Sequence, residues 1–363
     1  MATKLTVATL GVTFFLGLSS PVIAQKTDQE KPGVTDAADK GRKVEGPVAL
    51  VLKDKSALVE CVVSKNGATT VIYTADTKLH FFKVADHLSG DKKKIGKNDN
   101  AFPYRITGIQ LSPDGERVFG MINVSTLAVV TKRPKILHHL RGNVGLGAMA
   151  LHPDGEQLVA GLRGGIVRIW NTKTGKPVVY LQAHDKDINN VMFLPDGKFF
   201  ATSSVDNTIR FFSFPKGLKI REFPVPQPPR QMCIARDGLS MVTLQGKTLQ
   251  TWDLKLFSED KKFEPTKPST RIALSEDDQS LAVAHEDGSV SMHYVKSGKR
   301  RFGWDAHPKH EIVCLRFIRV EGRALLVTAA RNDDVVYWDV AKLVAVHSKS
   351  KSKIKTKKKR RRR

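Results

Sequence analysis

Residues 183–212 read AHDKDINNVMFLPDGKFFATSSVDNTIRFF. Two β-type runs, Ile188 to Leu194 and Phe199 to Ser203, flank a Pro195-Asp196-Gly197 turn, and a third run, Thr208 to Phe212, follows a polar turn. Proline presets φ and glycine accepts positive φ, so Pro-Asp-Gly between two apolar runs is a hairpin signal with a mechanism. The same tetrapeptide returns along the chain as Ser112-Pro113-Asp114-Gly115 and His152-Pro153-Asp154-Gly155, and in weaker form as Ala235-Arg236-Asp237-Gly238 and Ser275-Glu276-Asp277-Asp278. Its aspartates stand 40, 42, 41 and 40 residues apart. Degenerate copies at Lys65-Asn66-Gly67 and Val320-Glu321-Gly322 extend the series to seven units.

Each unit carries three β-type runs, the third ending near an aromatic: Trp170, Phe212, Trp252 or Trp338. A shorter fourth run, such as Pro177 to Leu181, often follows. Four short strands per roughly 40 residues is the arithmetic of a propeller blade. No long helical pattern alternates with the strands, which argues against a parallel sheet. The fold expected is all-β, a seven-bladed β-propeller of four-stranded antiparallel blades over residues 46–344. Open sheet edges invite aggregation. Val48 to Leu52 is expected to close the ring beside Val335 to Trp338, with Leu343 to Val346 as the alternative.

These units resemble the WD40 family. Trp252-Asp253 and Trp338-Asp339 are literal copies of its Trp-Asp dipeptide, and Trp170-Asn171 is a near copy. The resemblance implies a buried set in which a histidine, a Ser/Thr, a turn aspartate and a tryptophan hydrogen-bond one another. In the fourth unit the matching positions are His184, Thr202, Asp206 and Phe212, and phenylalanine cannot donate the indole bond. In the last unit they are His310, Thr328, Asn332 or Asp333, and Trp338. Trp252 takes the tryptophan place in the fifth unit. These are structural residues under this reading.

The chain has 363 residues and a formal net charge of +24, of which 11 cations lie between Lys349 and Arg363 with no acidic residue. A segment of that composition cannot bury enough apolar surface to order itself, so 345–363 is expected to be a disordered basic tail. Lys355, Lys357, Lys358, Lys359, Arg360, Arg361, Arg362 and Arg363 are its candidate anion-binding residues. At the other end, Lys4, an apolar run from Leu5 to Leu18, and Val22-Ile23-Ala24 have the order of a signal peptide. Residues 1–24 therefore predict export, to the periplasm or outside the cell, with 25–45 as a linker.

Cys61, Cys233 and Cys314 are too few and too far apart for a disulfide framework, and read as buried small hydrophobes. No His-Glu-x-x-His, Gly-x-Ser-x-Gly, phosphate-binding glycine loop or Cys-x-x-Cys is present. No catalytic residue, metal or cofactor is expected. The function expected is a monomeric platform that binds an unidentified protein partner on one propeller face, with the tail meeting an anionic polymer or membrane surface. A nucleic-acid-associated role for the tail ranks second, set back by the export reading, and a propeller hydrolase or dehydrogenase ranks last.

Overall fold

A computed structural model describes residues 48–52, 58–64, 66–85, 104–131, 135–331 and 334–347. Nearly all of them are strand and turn. Strand β1 (Val48–Leu52) opens the series. Blade one follows with β2 (Leu58–Val63), β3 (Thr69–Thr74) and β4 (Leu79–Lys83). Blade two holds β5 to β8 (Thr107–Leu111, Arg117–Asn123, Thr126–Thr131, Ile136–Arg141). Blade three holds β9 to β12 (Leu146–Leu151, Gln157–Leu162, Ile166–Asn171, Pro177–Gln182). Blade four is β13 to β16 (Ile188–Phe193, Phe199–Ser204, Thr208–Ser213, Lys219–Pro224). Blade five is β17 to β20 (Gln231–Ile234, Ser240–Gln245, Thr248–Asp253, Ser258–Phe263). Blade six is β21 to β24 (Ser269–Leu274, Ser280–His285, Ser289–Tyr294, Arg300–Asp305). Blade seven takes β25 to β27 (Ile312–Val320, Arg323–Ala330, Val335–Asp339) and β1.

The chain is a seven-bladed propeller. Its first strands, β2, β5, β9, β13, β17, β21 and β25, pack in succession around an axis, and β25 returns to β2. Ring closure uses the first strand, not the last segment: β1 pairs antiparallel with β27, Leu50 opposite Tyr337 and Leu52 opposite Val335. Residues 340–347, which include Leu343 to Val346, are helical. The fourth-strand region of blade one, the 86–100 insertion, the N-terminal 1–47 and the tail from 348 lie outside the described residues.

The turns explain the repeat. In three Pro-Asp-Gly turns and in Ala235-Arg-Asp-Gly the aspartate Oδ1 accepts the backbone N–H two residues on, at 2.7–3.0 Å. The glycines sit at φ of +70 to +76°, which L side chains resist. In blade six Asp278 occupies that conformation itself, with φ +55°, and aspartate is among the few residues that tolerate it. Blade seven departs from the pattern: Val320 pairs directly with Arg323 across a two-residue turn in which both Glu321 and Gly322 have positive φ. That tighter turn accompanies strands of nine and eight residues.

Burial follows blade position. Second strands such as β10, β14 and β22 are buried on both faces, because each sheet is sandwiched between two neighbours. Fourth strands such as β12, β16 and β20 are mostly exposed. The core is thus a circle of inter-blade seams. Trp170, fully buried, joins Leu158 in the seam of blades two and three, and Phe200 and Phe212 stack at 5.3 Å in that of blades three and four. Burying one such side chain contributes roughly 1.5–3 kcal/mol.

Blades three and four approach so closely that a Cβ on Gly147 would lie 2.0 Å from the Ile188 carbonyl oxygen. Gly147→Ala must therefore push the innermost strands β9 and β13 away from each other. Overpacking of this kind costs about 1–3 kcal/mol, and a lowered melting temperature is expected by calorimetry. An unchanged transition contradicts the seam geometry.

Candidate functional site

In blade four, His184 sits beneath the turn that leads into β13, with its side chain fully enclosed. Asp206 Oδ2 lies 2.9 Å from His184 Nδ1, and Thr202 Oγ1 lies 2.7 Å from Nε2. A carboxylate only accepts, so the proton belongs on Nδ1 and the Thr202 hydroxyl donates to Nε2. Asp206 also accepts from the Thr208 hydroxyl and amide at 2.7 and 3.0 Å. Burial holds the His184 pKa below its ordinary value, against the pull of Asp206. Burial would raise Asp206, but its bonds to Thr208 and His184 bring it below the usual carboxylate range. Phe212 stacks on Phe200 and supplies no donor. The set fastens the blade-entry loop to the sheet and leaves no group free for proton transfer to a substrate.

Blade seven builds a fuller set from a different histidine. Thr328 Oγ1 takes the Trp338 indole N–H at 2.8 Å and faces His307 Nε2 at 2.8 Å. His310, expected in that role, instead has Nδ1 3.2 Å from the Arg331 carbonyl. The correction has a geometric cause. His184 precedes Thr202 by 18 residues, and so does His310 precede Thr328. But the longer blade-seven hairpin joins Ile312 to Ala330 where blade four joins Ile188 to Ser204, and its lead-in is one residue longer. The spacing grows by three, onto His307. Backbone bonds agree: His184 N–H donates to Gly165 O and His307 N–H to Gly288 O, each at 2.9 Å. Asn332 and Asp333 lie outside the described residues.

The remaining blades keep fragments of this arrangement. In blade five the Trp252 indole donates to Thr243 Oγ1 at 3.0 Å, and Gln245 Nε2 donates to the same oxygen at 2.8 Å. Blade three has Trp170 but Ala160 at the threonine level, and the Arg168 guanidinium lies 5.5 Å over the indole. Blade six carries a set that sequence reasoning missed. His285 Nε2, Ser291 Oγ and His293 Nε2 form a buried row with spacings of 2.7 and 2.9 Å. Its signal was the period-two placement of Ser289, Ser291 and His293 on a strand otherwise apolar. Burial holds both histidines below their ordinary pKa.

A second feature sequence reasoning missed is the axial belt. Side chains from one innermost strand bind the backbone of the next. Gln231 exchanges two bonds with Ile272, at 2.9 and 3.1 Å, and Arg271 Nε donates to Ile312 O at 2.9 Å. Asn190 Nδ2 donates to Pro229 O at 2.7 Å, and the Ile109 amide donates to Glu60 at 2.9 Å. Burial pushes the Glu60 pKa up, opposed by those amides and by Arg271 and Arg331.

Beside the basic run Lys299-Arg300-Arg301, Phe302 is buried while Tyr294 is exposed. Arg301 lies over Tyr294 at 4.6 Å, Phe302 stacks on His347 at 4.5 Å, and Trp304 meets Trp338 edge-on at 5.6 Å. Cys61 and Cys314 are buried free thiols and Cys233 is half-buried. Among the described residues no cluster of metal-ligating side chains occurs. The candidate anion-binding residues Lys355 to Arg363 lie outside the described residues.

Comparison with known proteins agrees with the blade geometry. The family described as WD domain, G-beta repeat matches residues 134–171 and 175–213, which span the end of blade two, blade three and most of blade four. Two WD40 repeats thus stand in a seven-bladed propeller, which is consistent with a WD40-repeat family. The chain is similar to eukaryotic translation initiation factor 3 subunit I of Aspergillus oryzae, 26% identical over 45% of this chain and 52% of that protein. The subunit I of Vanderwaltozyma polyspora is 21% identical over 58% of the chain and 71% of its own length. Telomerase protein component 1 of Mus musculus is 22% identical over 65% of the chain but 9% of that protein. The chain spans about half the length of the Aspergillus relative.

These findings correct one expectation. Relatives named as subunits of a eukaryotic translation initiation factor point against export, which residues 1–24 had suggested. A WD40-type propeller is a platform suited to protein interaction.

Two outcomes follow from the histidine sets. His307→Ala removes a partner of buried Thr328 and should cost about 1–3 kcal/mol, while His310→Ala, at a half-buried ring that faces only the Arg331 carbonyl, should cost clearly less. Equal melting temperatures for the two variants contradict the assignment. The second outcome is a pH dependence. His184, His285 and His293 have folded pKa values below the ordinary 6.5. The unfolded chain then binds more protons in that range, so stability is full above about pH 6.5 and falls on acidification. Asp206, depressed below 3.8, adds a further loss as pH falls through that lower range. Thermal unfolding followed from about pH 7.5 to 5 should show a declining midpoint, and a flat profile contradicts it.

Proposed function

We propose that this propeller is a non-catalytic subunit of a translation-type assembly, holding protein partners on its rigid ring while its basic tail contacts nucleic acid. The observation that carries the reading is the closed ring whose buried polar groups are spent on blade architecture, together with relatives named as initiation-factor subunits. A rigid scaffold presents its binding residues on the loops it positions. The tail's 11 cations between 349 and 363 supply a sequence-independent attraction to polyanions. Nucleic acid ranks first among such polyanions once export is set aside, because the relatives belong to translation.

The test is purification of tagged full-length chain and of a form ending at residue 348, each with and without ribonuclease. Protein partners are expected with both forms. RNA retention is expected to drop in the shortened form, and its affinity for single-stranded RNA to fall less steeply with salt. The melting temperatures should match. Absence of any stoichiometric protein partner contradicts the subunit reading, and equal salt slopes contradict the role of the tail.

A further inference from the structure

Blades three and four place an arginine at the same register position of the third strand. Arg168 of β11 stands between Ala160 and Tyr180, and Arg210 of β15 between Thr202 and Glu222. The two side chains meet different company. Arg210 Nε faces Glu222 Oε2 at 3.0 Å, Nη1 donates to Ala183 O at 2.7 Å, and Nη2 lies 3.7 Å from Asp206 Oδ2. Blade three lacks both carboxylates: Tyr180 stands where Glu222 does, and Gly164 where Asp206 does. Backbone bonds fix the second match, since Arg163 N–H donates to Gly145 O as Val205 N–H does to Asp187 O, at 2.7 and 2.9 Å.

Arg168 Nε and Nη1 are consequently buried with no hydrogen-bond acceptor. Among the described residues Arg168 makes no ion pair, and its partner is the Trp170 ring at 5.5 Å. Burying guanidinium N–H groups without an acceptor is costly, and a cation–π contact offsets only part of that cost. The position opens outward. Arg168 as a whole is half-buried, and Nη2 is not among its enclosed nitrogens. An acceptor arriving at Nη2 sits beside Nη1 on the same edge of the fork. On β12, Tyr180 and Val178 are 65% and 53% exposed, and they alternate with Val179 and Leu181, which pack into the seam with blade four. Residues directly opposite across a strand pair share a face, so Tyr180 and Val178 lie on the face that carries Arg168. The rim of blade three thus presents a cation short of a carboxylate, flanked by an exposed aromatic and an exposed aliphatic side chain.

We propose that the outer face of blade three docks an acidic segment of a protein partner, one carboxylate of which takes on Arg168 the place that Glu222 holds on Arg210, with a neighbouring apolar residue against Tyr180 and Val178. The proposal rests on the reading of the ring as a protein-binding subunit and names one of its surfaces. A side-chain carboxylate is the occupant because the matching arginine is completed by side-chain carboxylates, and a planar guanidinium suits that geometry.

The experiment titrates full-length protein against labelled peptides with one central glutamate flanked by leucines, and against their glutamine counterparts, by fluorescence anisotropy at fixed ionic strength. Native chain, Arg168→Met and Arg168→Lys are compared. All forms keep the basic tail, so binding to the tail cancels in the comparison. Saturable binding of the glutamate peptide is expected, weakened roughly tenfold or more by glutamine in the peptide or by Arg168→Met, and less by Arg168→Lys. Tyr180→Ser should weaken it as well. Binding that is absent, or equal in native chain and Arg168→Met, overturns the proposal. Single-stranded RNA should bind those two forms equally, and an RNA affinity that depends on Arg168 overturns the acidic-segment assignment. Melting temperature is the second readout. Arg168→Met removes no ion pair and should melt no lower than the native chain, whereas Arg210→Met strands Glu222 and Asp206 and should melt lower. A fall for Arg168→Met as large as that for Arg210→Met makes Arg168 a structural residue and overturns the proposal. Purification of native chain and Arg168→Met separates this site from the reading beneath it. Protein partners kept equally by both forms, without Arg168-dependent peptide binding, remove the site and leave the subunit reading standing. Absence of partners from both removes that reading, and the peptide titration still decides the site.

Discussion

Pairing of β1 with β27 is the constraint on which the rest of this molecule depends. A row of seven sheets that lean on one another has two unsatisfied ends until a strand from one end completes the sheet at the other. Here residues 48–52 supply the outer strand of a sheet whose other members lie between residues 312 and 339. The contact spans nearly the whole chain, so it brings a large loop-closure entropy, offset only when every seam between is formed. Closure also brings β2 against β25, and with it the Leu58, Val63, Ile318 and Tyr337 cluster of the last seam. The axial belt exists only in the closed ring, since Glu60 of blade one lies in electrostatic reach of Arg271 of blade six and Arg331 of blade seven.

The ring was legible because its turns use local chemistry. An aspartate that caps the amide two residues on, followed by glycine at positive φ, leaves the same mark wherever it occurs. Strand pairing then repeats with the period of about 40 residues. The polar interior was less legible because its geometry depends on lengths elsewhere. The 18-residue interval that identified His184 and Thr202 also pointed to His310, since nothing in the sequence announces that blade seven trades a five-residue loop for a two-residue turn and longer strands. The His285–Ser291–His293 row was harder to read, because a histidine, His293, stands at the place that Phe212 and Trp252 hold in their blades, although the alternation was visible. The axial belt could not be read at all, because its partners are backbone atoms of other blades.

The two chain ends illustrate a different limit. An apolar run behind a lysine reads as an export leader by composition alone, and the relatives argue otherwise. Composition describes what a segment could do in a given compartment. It does not decide which compartment the protein occupies. The basic tail depends on that decision: among the polyanions available to it, the compartment chooses. The body constrains function more firmly, because its buried histidines, threonines and tryptophans are occupied with one another and hold loops in place rather than acting on a substrate.

Hydrogen exchange on the last blade tests ring closure most directly. In the full chain, the β27 amides that face β1 should exchange as slowly as those of β26. A chain beginning after residue 52 should lose that protection, together with protection in β2 and β25, and unfold at lower temperature. Retained protection of Val335–Asp339 in the shortened chain, with an unchanged unfolding transition, would contradict closure by β1 and the account built on it.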